Sequence, residues 1–411
     1  MMYFLLIITT FFWLLLLFYS WITLGGLWYR IKFEDAKPLE RYPSVAVLIP
    51  AHNEGLVLED TLRAMLRLEY PGPLDIYVLA DNCTDNTGEI AESFSKVFAN
   101  VHHVIVPEGE PKGKSRVLNH GLSITESEYF IVYDADNQPE PQSLRSLMEN
   151  AESIPDAAGA VGYVKTINSE ANALTRMISL EFQVFQLLMQ CGRWGLFKLG
   201  SLAGTNMLLK RQVLEELGGY DPYALAEDGE LTIRITVAGY KLPVVPTSVT
   251  WEQEPEHLKI FIRQRIRWLI GNLYMLEKSF RDISQWKGRT FLLTLQHVLT
   301  YFVFLILLLV SDIFFIASLA GADVPHVQSP LLLLWFMSYV VYTAQLLSAI
   351  VIDKNVTPIN VLFIIIMYFT YAQLFVILLT KSAFQYIGSR IRGETIAWDK
   401  TKRFKKGEVR S

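Results

Sequence analysis

Asp134 and Asp136 stand one residue apart, directly after the apolar run Phe130-Ile131-Val132-Tyr133. Two carboxylates at such a strand end offer hard oxygen ligands, which suit Mg2+ or Mn2+. Held at Asp136, such an ion bridges to diphosphate oxygens and offsets the charge that builds on a leaving nucleoside diphosphate. An Asp-x-Asp pair alone also arises easily by chance. A second acidic pair, Glu227-Asp228, follows Gly218-Gly219-Tyr220-Asp221 and precedes a helix, where acids equally serve the positive end of the helix dipole. Asp81 ends another apolar run and there accepts charge-assisted hydrogen bonds from a base or ribose. Asp81 and Asp85 suit a turn or a helix cap just as well. Lys114 lies in Gly109-Glu110-Pro111-Lys112-Gly113-Lys114-Ser115, one residue short of G-x-x-x-x-G-K-[ST], which argues against a nucleoside triphosphatase. It still opens a helix whose free N–H groups favour phosphate; the plainer alternative is a solvated loop lysine. Finally, Gln264-Arg265-Ile266-Arg267-Trp268 sits in the amphipathic segment 257–270, where basic and aromatic residues also serve as an interfacial anchor.

The elements that must position these residues alternate. Strands are predicted at 45–49, 74–80, 103–106 and 129–133, and helices at 56–68, 88–98, 115–124 and 142–151. Four β-α units imply a parallel sheet covered on both faces, a Rossmann-like α/β layout. Ligands in such sheets bind beyond the carboxyl ends of the strands. Those ends carry Pro50-Ala51-His52-Asn53-Glu54, then Asp81 to Asp85, then Lys114, then Asp134 to Asp136.

Half of the chain, 51%, is hydrophobic and the mean hydropathy is +0.27, too apolar for an ordinary soluble protein. Residues 1–29 carry no charged side chain, long enough for a helix to cross a hydrocarbon core of about 30 Å. The segment lacks the basic start and small-residue cleavage site of a signal peptide and is expected to be retained. Arg30, Lys32 and Lys37 follow it, which places the next domain in the cytosol. Further apolar stretches at 291–311, 324–352 and 355–380 are each free of Asp, Glu, Lys and Arg. The tail from Lys381 holds nine Lys/Arg against three acids and by the same rule is cytosolic. Four crossings would put it outside, so either one stretch is re-entrant or the charge rule fails at one end.

The division expected is a membrane helix at 1–29, a catalytic domain at 30–255, an amphipathic interface helix at 256–290, membrane helices at 291–381 and a basic tail at 382–411. A net charge of −4 gives no general attraction for nucleic acid, and none is expected as a partner. Two cysteines and no His-Glu-x-x-His spacing make a disulfide framework or a structural zinc site unexpected.

In their order, Pro50-Ala51-His52-Asn53-Glu54, Asp81 with Asp85, Asp134-Ala135-Asp136, Glu227-Asp228 and Gln264-x-x-Arg267-Trp268 resemble the family 2 glycosyltransferases of the processive, membrane-bound kind. The resemblance is to poly-N-acetylglucosamine, chitin-oligosaccharide, hyaluronan and cellulose synthases, and covers the whole chain. It implies a glycosyltransferase A-type domain and inverting transfer from a UDP-sugar to a saccharide or lipid acceptor at the membrane, with accessory export or membrane proteins as further partners. It implies that Pro50, Ala51, Asn53, Glu54, Asp81 and Asp134 belong to the nucleotide site, Asp134 beside the metal-binding Asp136, and that Lys114 helps with phosphate. Asp136 then binds the metal and Asp228 is the general base. Gln264 and Arg267 touch the diphosphate, and Trp268 stacks under the acceptor sugar. Trp398-Asp399-Lys400-Thr401-Lys402-Arg403 is similar to a late element of the family. Ala226 departs from the Thr often found there, and no match to the cellulose synthases' gating loop or regulatory domain is evident, so cellulose is not the expected product. Ceramide glucosyltransferases are similar in motif order, which keeps a single-transfer glycolipid synthase as the alternative. A transporter or receptor that only senses nucleotide sugars is the rival outside enzymes.

Overall fold

The computed structural model describes residues 2–392, apart from 284, 285, 287 and a number of positions between 300 and 327. The basic tail beyond 392, with its 398–403 element, and part of the apolar stretches at 291–311 and 324–352 lie outside the described residues.

The chain enters through helix α1 (Met2–Lys32) and then builds an eight-stranded sheet. Its first half alternates as expected: β1 (Val45–Ala51), α2 (Leu58–Met65), β2 (Leu74–Ala80), α3 (Thr87–Val97), β3 (Val101–Ile105), α4 (Lys114–Ser123), β4 (Tyr129–Val132). These strands pair in parallel, β3-β2-β1-β4, because each link is a helical crossover. Side chains alternate across the pleat. Val45, Val47 and Ile49 of β1 therefore pack with Leu58 and Leu62 on one face, while Ala46 and Leu48 pack with Val117 and Leu118 on the other.

The second half departs from an all-parallel sheet. The short β5 (Gln138–Pro139) and helix α5 (Ser143–Glu152) lead to β6 (Gly159–Thr166). From β6 the chain leaves the sheet through α6 (Ala173–Gln183), a π-helical turn (Val184–Gln190) and α7 (Cys191–Phe197). It returns as β7 (Met207–Lys210), antiparallel to both β4 and β6. The apolar run Met207-Leu208-Leu209 reads the same in either direction, so the place where α7 releases the chain sets its sense. After α8 (Arg211–Glu216) and α9 (Glu227–Val237), β8 (Val244–Glu252) runs parallel to β6 and antiparallel to β5. The result is a mixed sheet.

The detour through α6 and α7 docks the domain on α1. A Cβ on Gly26 would lie 2.2 Å from the Leu188 carbonyl oxygen, and one on Gly192 would lie 2.1 Å from that of Ile22. Only glycine permits helix backbones to approach so closely.

Helix α10 (Leu258–Arg281) leads to α11 (Gly288–Val298), and α12 (Gln328–Ile352), α13 (Pro358–Met367) and α14 (Tyr371–Arg392) close the described chain. Phe261 and Ile270 of α10 share an apolar core with Ile178 of α6, Ile350 of α12, Ile364 of α13 and Tyr371 of α14. Among the described residues two helices, Leu6–Lys32 and Leu333–Ile352, are long and apolar enough to cross a membrane; α13 and α14 meet the criterion only as a pair, bent by 45°.

Candidate functional site

The carboxyl ends of β1, β2 and β4 converge with the starts of α4 and α9 on a cavity of about 450 Å3, and α10 forms its far wall. Pro50, Ala51, Glu54, Asp81, Lys114, Asp134, Asp228, Gln264, Arg267 and Trp268 all line it. Residues as far apart in sequence as 50 and 268 thus share one space.

Asn53 and Asp136 are not among the residues that line the cavity. Asn53, at φ 54°, turns the β1 loop so that its Oδ1 accepts from the backbone N of Thr84 at 2.7 Å and of Asp85 at 3.2 Å. Asp85 accepts from the N–H groups of Gly55 and Thr87, each at 3.0 Å, and so serves the turn and helix start. Asp81 instead faces the cavity, where its Oδ1 is paired with the Arg116 guanidinium. Asp136 is 3% exposed, and its Oδ2 accepts from the Gln253 N–H at 3.0 Å.

Lys114 opens α4, as its sequence context suggests, but its ammonium turns to the acids. Nζ donates to Asp134 Oδ1 at 2.6 Å and to the Gly204 carbonyl at 2.7 Å, with Glu227 Oε1 at 3.5 Å. Burial alone would lower the lysine's pKa; the charges of Asp134, Glu227 and Asp228 outweigh it and hold the ammonium protonated. Asp228 feels the reverse balance. Enclosure by protein, followed by the charge of Glu227, pushes its carboxyl up to about 7, against the N–H of Gly229, which donates to Oδ1 at 2.8 Å, and the charge of Lys114. A carboxylate poised near neutrality suits a group that must take up a proton.

Helix α10 reaches this acid pair because it carries glycine at the crossing. A Cβ on Gly271 would lie 2.6 Å from the Ala226 Cβ, one residue before Glu227. Lys278 fastens the same helix, 2.9 Å from Asp221 and 2.6 Å from Glu230. Arg265 lies between the motif residues, its Nη2 donating to Glu181 Oε2 at 2.7 Å. Its guanidinium covers the Trp268 ring at 4.4 Å, while Phe182 stacks on that indole at 6.4 Å. Trp268 is thus held in place by neighbours on α6 and its own helix. The Gln264 side chain is 9% exposed, and its Oε1 has no hydrogen-bond partner among the described residues.

The donor set can be tested for a metal. Among the described residues no group of three or more His, Cys, Asp or Glu side chains is arranged to hold one. Asp134 and Asp136 just beyond β4 are hard oxygen donors of the kind taken by Mg2+ or Mn2+, which use one or two carboxylates and complete their shells from substrate phosphates and water; of the two, Asp134 lines the cavity.

A family model described as glycosyltransferase like family 2 matches residues 43–271, from the foot of β1 to the glycine that seats α10. The chain belongs to this family. As a glycosyltransferase it is 36% identical, over 94% of both chains, to a probable glycosyltransferase, YdaM, of Bacillus subtilis. It is 24% identical to the poly-beta-1,6-N-acetyl-D-glucosamine synthase of Staphylococcus aureus, over 63% of this chain and 64% of that protein. Among solved structures, a mannosyltransferase from Pyrobaculum calidifontis in complex with GDP-Man and Mn2+ is similar with a TM-score of 0.58 and 21% identity, covering 85% of this chain and 97% of that one. That likeness speaks for the fold, the glycosyltransferase A type with its mixed sheet.

Sequence reasoning misses several residues of the candidate site. Arg116, two positions after Lys114, is the partner of Asp81, and its only signal is a second basic residue at a helix start. Thr205 donates to Asn137, while its Oγ1 accepts from the Asp134 N–H at 3.2 Å, so the segment leading into β7 braces the Asp134 loop. Arg193 of α7 and His297 of α11 also line the cavity without any local motif.

Proposed function

We propose that this glycosyltransferase moves a sugar, with inversion, from a UDP-sugar onto a growing polysaccharide or oligosaccharide at the cytosolic face of a membrane. The observation that carries the reading is the single cavity that joins Asp81, Asp134, Lys114 and Asp228 to Gln264, Arg267 and Trp268 on the helix packed against the apolar bundle. The resemblance of the motifs to the processive synthases and the similarity to a poly-N-acetylglucosamine synthase support the polymer.

In this reading Pro50, Ala51, Asn53, Glu54 and Asp81 hold the nucleoside, with Arg116 orienting Asp81 through their ion pair. Asp136, with Asp134 beside it, would hold Mg2+ or Mn2+, which would supply positive charge to the leaving diphosphate. Gln264 and Arg267 bind the diphosphate from the α10 side by donating to its oxygens, the glutamine through its amide N–H groups. Asp228 takes the proton of the acceptor hydroxyl as its oxygen attacks the anomeric carbon. The bond to the diphosphate oxygen breaks on the opposite side, so configuration inverts and UDP leaves. Trp268, fixed by Arg265 and Phe182, offers an aromatic edge to the acceptor sugar. The basic residues Arg30, Lys32 and Lys37 after α1 favour a cytosolic catalytic domain in a multi-pass protein. The domain runs from 30 to 255, followed by the interface segment 256–290 and the membrane region 291–381.

The test is transfer by the purified full-length chain in lipid discs, given a panel of labelled UDP-sugars, with GDP-mannose as a further donor and Mg2+ or Mn2+ present. Products of many sugars from a UDP donor are expected. One-sugar lipid products alone would replace polymerisation with single-transfer glycolipid synthesis, and transfer from GDP-mannose alone would overturn the uridine assignment.

A further inference from the structure

The apolar stretch at 355–380 is long enough to cross a bilayer, yet its helices touch the catalytic side at the beginning, middle and end. At the beginning, Asp353 lies 2.8 Å from Lys165 of β6, and Gln183 of α6 donates to it at 3.0 Å. Arg176 of α6 donates to Asn360 of α13 at 2.7 Å. In the middle, the Tyr371 hydroxyl donates to Glu181 of α6 at 2.6 Å. At the end, Arg390 Nε donates to Glu277 of α10 at 2.9 Å, and Tyr386 donates to the same carboxylate.

Between these points α14 lies beside α10, parallel and in register. Phe261 meets Tyr371 at 5.7 Å between ring centroids, Arg265 lies over Phe375 at 5.9 Å, and Glu277 meets Tyr386. The paired stretch of α10 is about 24 Å long at 1.5 Å per residue. Helix α10 cannot be in hydrocarbon over that length. It carries Lys259, Arg263, Arg265, Arg267, Glu277, Lys278 and Arg281, and it lines the catalytic cavity with Gln264, Arg267 and Asn272. A helix in register with it occupies the same layer.

The outer face of α14 fits that layer. Ile377, Phe384, Ile387 and Ile391 form one exposed apolar stripe, opposite Tyr371, Leu378, Ser382 and Ser389, which are buried against protein. Exposed Lys381, Arg390 and Arg392 flank the stripe, the mixture that seats a helix in a headgroup layer. On α13, exposed Leu362, Ile366 and Phe369 at its end continue the apolar surface toward the membrane-length helix α12.

We infer that α13 and α14 do not cross the bilayer but lie along it beside α10, with lipid of the adjoining leaflet as their partner. The inference rests on the membrane reading above and goes beyond it in the crossing count. Taken with α1, α12 and the crossing that the sequence predicts at 291–311, this leaves Arg392 on the side of the catalytic domain, in accord with the cytosolic tail that the charge rule predicts.

The test uses spin labels on single cysteines replacing Ile377, Phe384 and Ile391 in the full chain in lipid discs, with immersion depth read from oxygen against nickel-chelate relaxation. Depths within a few Å of one another are expected, whereas a crossing helix would separate 377 from 391 by about 20 Å. A depth difference above about 10 Å overturns the inference. Labels exposed only to water at all three positions would overturn the membrane reading as well, which separates the two failures. As a second measurement, Lys354→Cys, Arg392→Cys and the catalytic-domain marker Lys96→Cys are labelled with an impermeant maleimide in sealed and detergent-opened vesicles, with the parent chain as background. Equal sealed-to-opened ratios at all three are expected; an opposite ratio at 392 overturns the inference.

Discussion

Lys114 Nζ lies 2.6 Å from Asp134 Oδ1, joining the start of α4 to the end of β4 at the centre of the site. With Glu227 at 3.5 Å, one cation ties the strand-end acid to the acid pair that opens α9. Both side chains of the Lys114–Asp134 pair are largely withdrawn from solvent, so the pair cannot be broken cheaply.

Lys114→Gln leaves Asp134, Glu227 and Asp228 facing one another without a cation. Loss of one partner of a largely buried pair costs about 3 kcal/mol, visible in thermal unfolding. Transfer falls by about 100-fold or more, the scale of removing one preorganised electrostatic group. Because Lys114 lowers the Asp228 pKa, the pH midpoint of the surviving activity moves to higher pH.

Asp228→Asn removes the proposed proton acceptor and keeps the shape. Turnover drops by about 100- to 10,000-fold, while UDP binding measured by calorimetry stays near that of the parent. Equal losses in both would reassign Asp228 to donor binding.

The raised Asp228 pKa gives activity and stability opposite pH trends. As a base the group works when ionised, so kcat/KM rises with pH through about 7. The folded chain keeps this proton above the ordinary aspartate pKa of about 3.9, and the unfolded chain does not. The stability contribution of this group is therefore fully present below that value and is lost as pH rises through about 7. The pH–rate profile reads the first trend, and the difference in denaturation between the parent and Asp228→Asn across this window reads the second.

Gly271→Val drives a side chain into Ala226, where even a Cβ would sit 2.6 Å from its neighbour. Separating α10 from the Glu227-Asp228 pair costs about 1–3 kcal/mol by overpacking and lowers transfer more than UDP binding. Enlarging Gly239, at φ 91° and with nothing near its Cβ, strains only the backbone and spares that coupling.

Chelation with EDTA abolishes transfer, and Mn2+ or Mg2+ restores it. Asp136→Asn raises the metal concentration needed for half-maximal rate by about 10-fold or more, the scale on which even a supporting ligand interaction changes metal affinity. An unchanged requirement would move the ion elsewhere.

The motif residues were legible in the sequence because each sits in a short local context: an apolar run ending before Asp81 or Asp134, a basic residue opening a helix at Lys114, an acid pair opening another at Glu227. The local pattern also placed the first four β-α units to within a few residues, since a strand buried on both faces is written as a continuous apolar run. Tertiary structure alone decided what crosses between elements. The antiparallel sense of β7, the pairing of Asp81 with Arg116, the bracing of Asp134 by Thr205 and the seating of α10 through Gly271 depend on neighbours distant in sequence, which leave no periodic trace. The same holds for the stretch at 355–380. Composition says that it is apolar enough to cross a membrane, but the contacts of Tyr371, Tyr386 and Arg390 with α6 and α10 define the layer it occupies, because hydropathy records affinity for lipid and not the direction in which a helix runs.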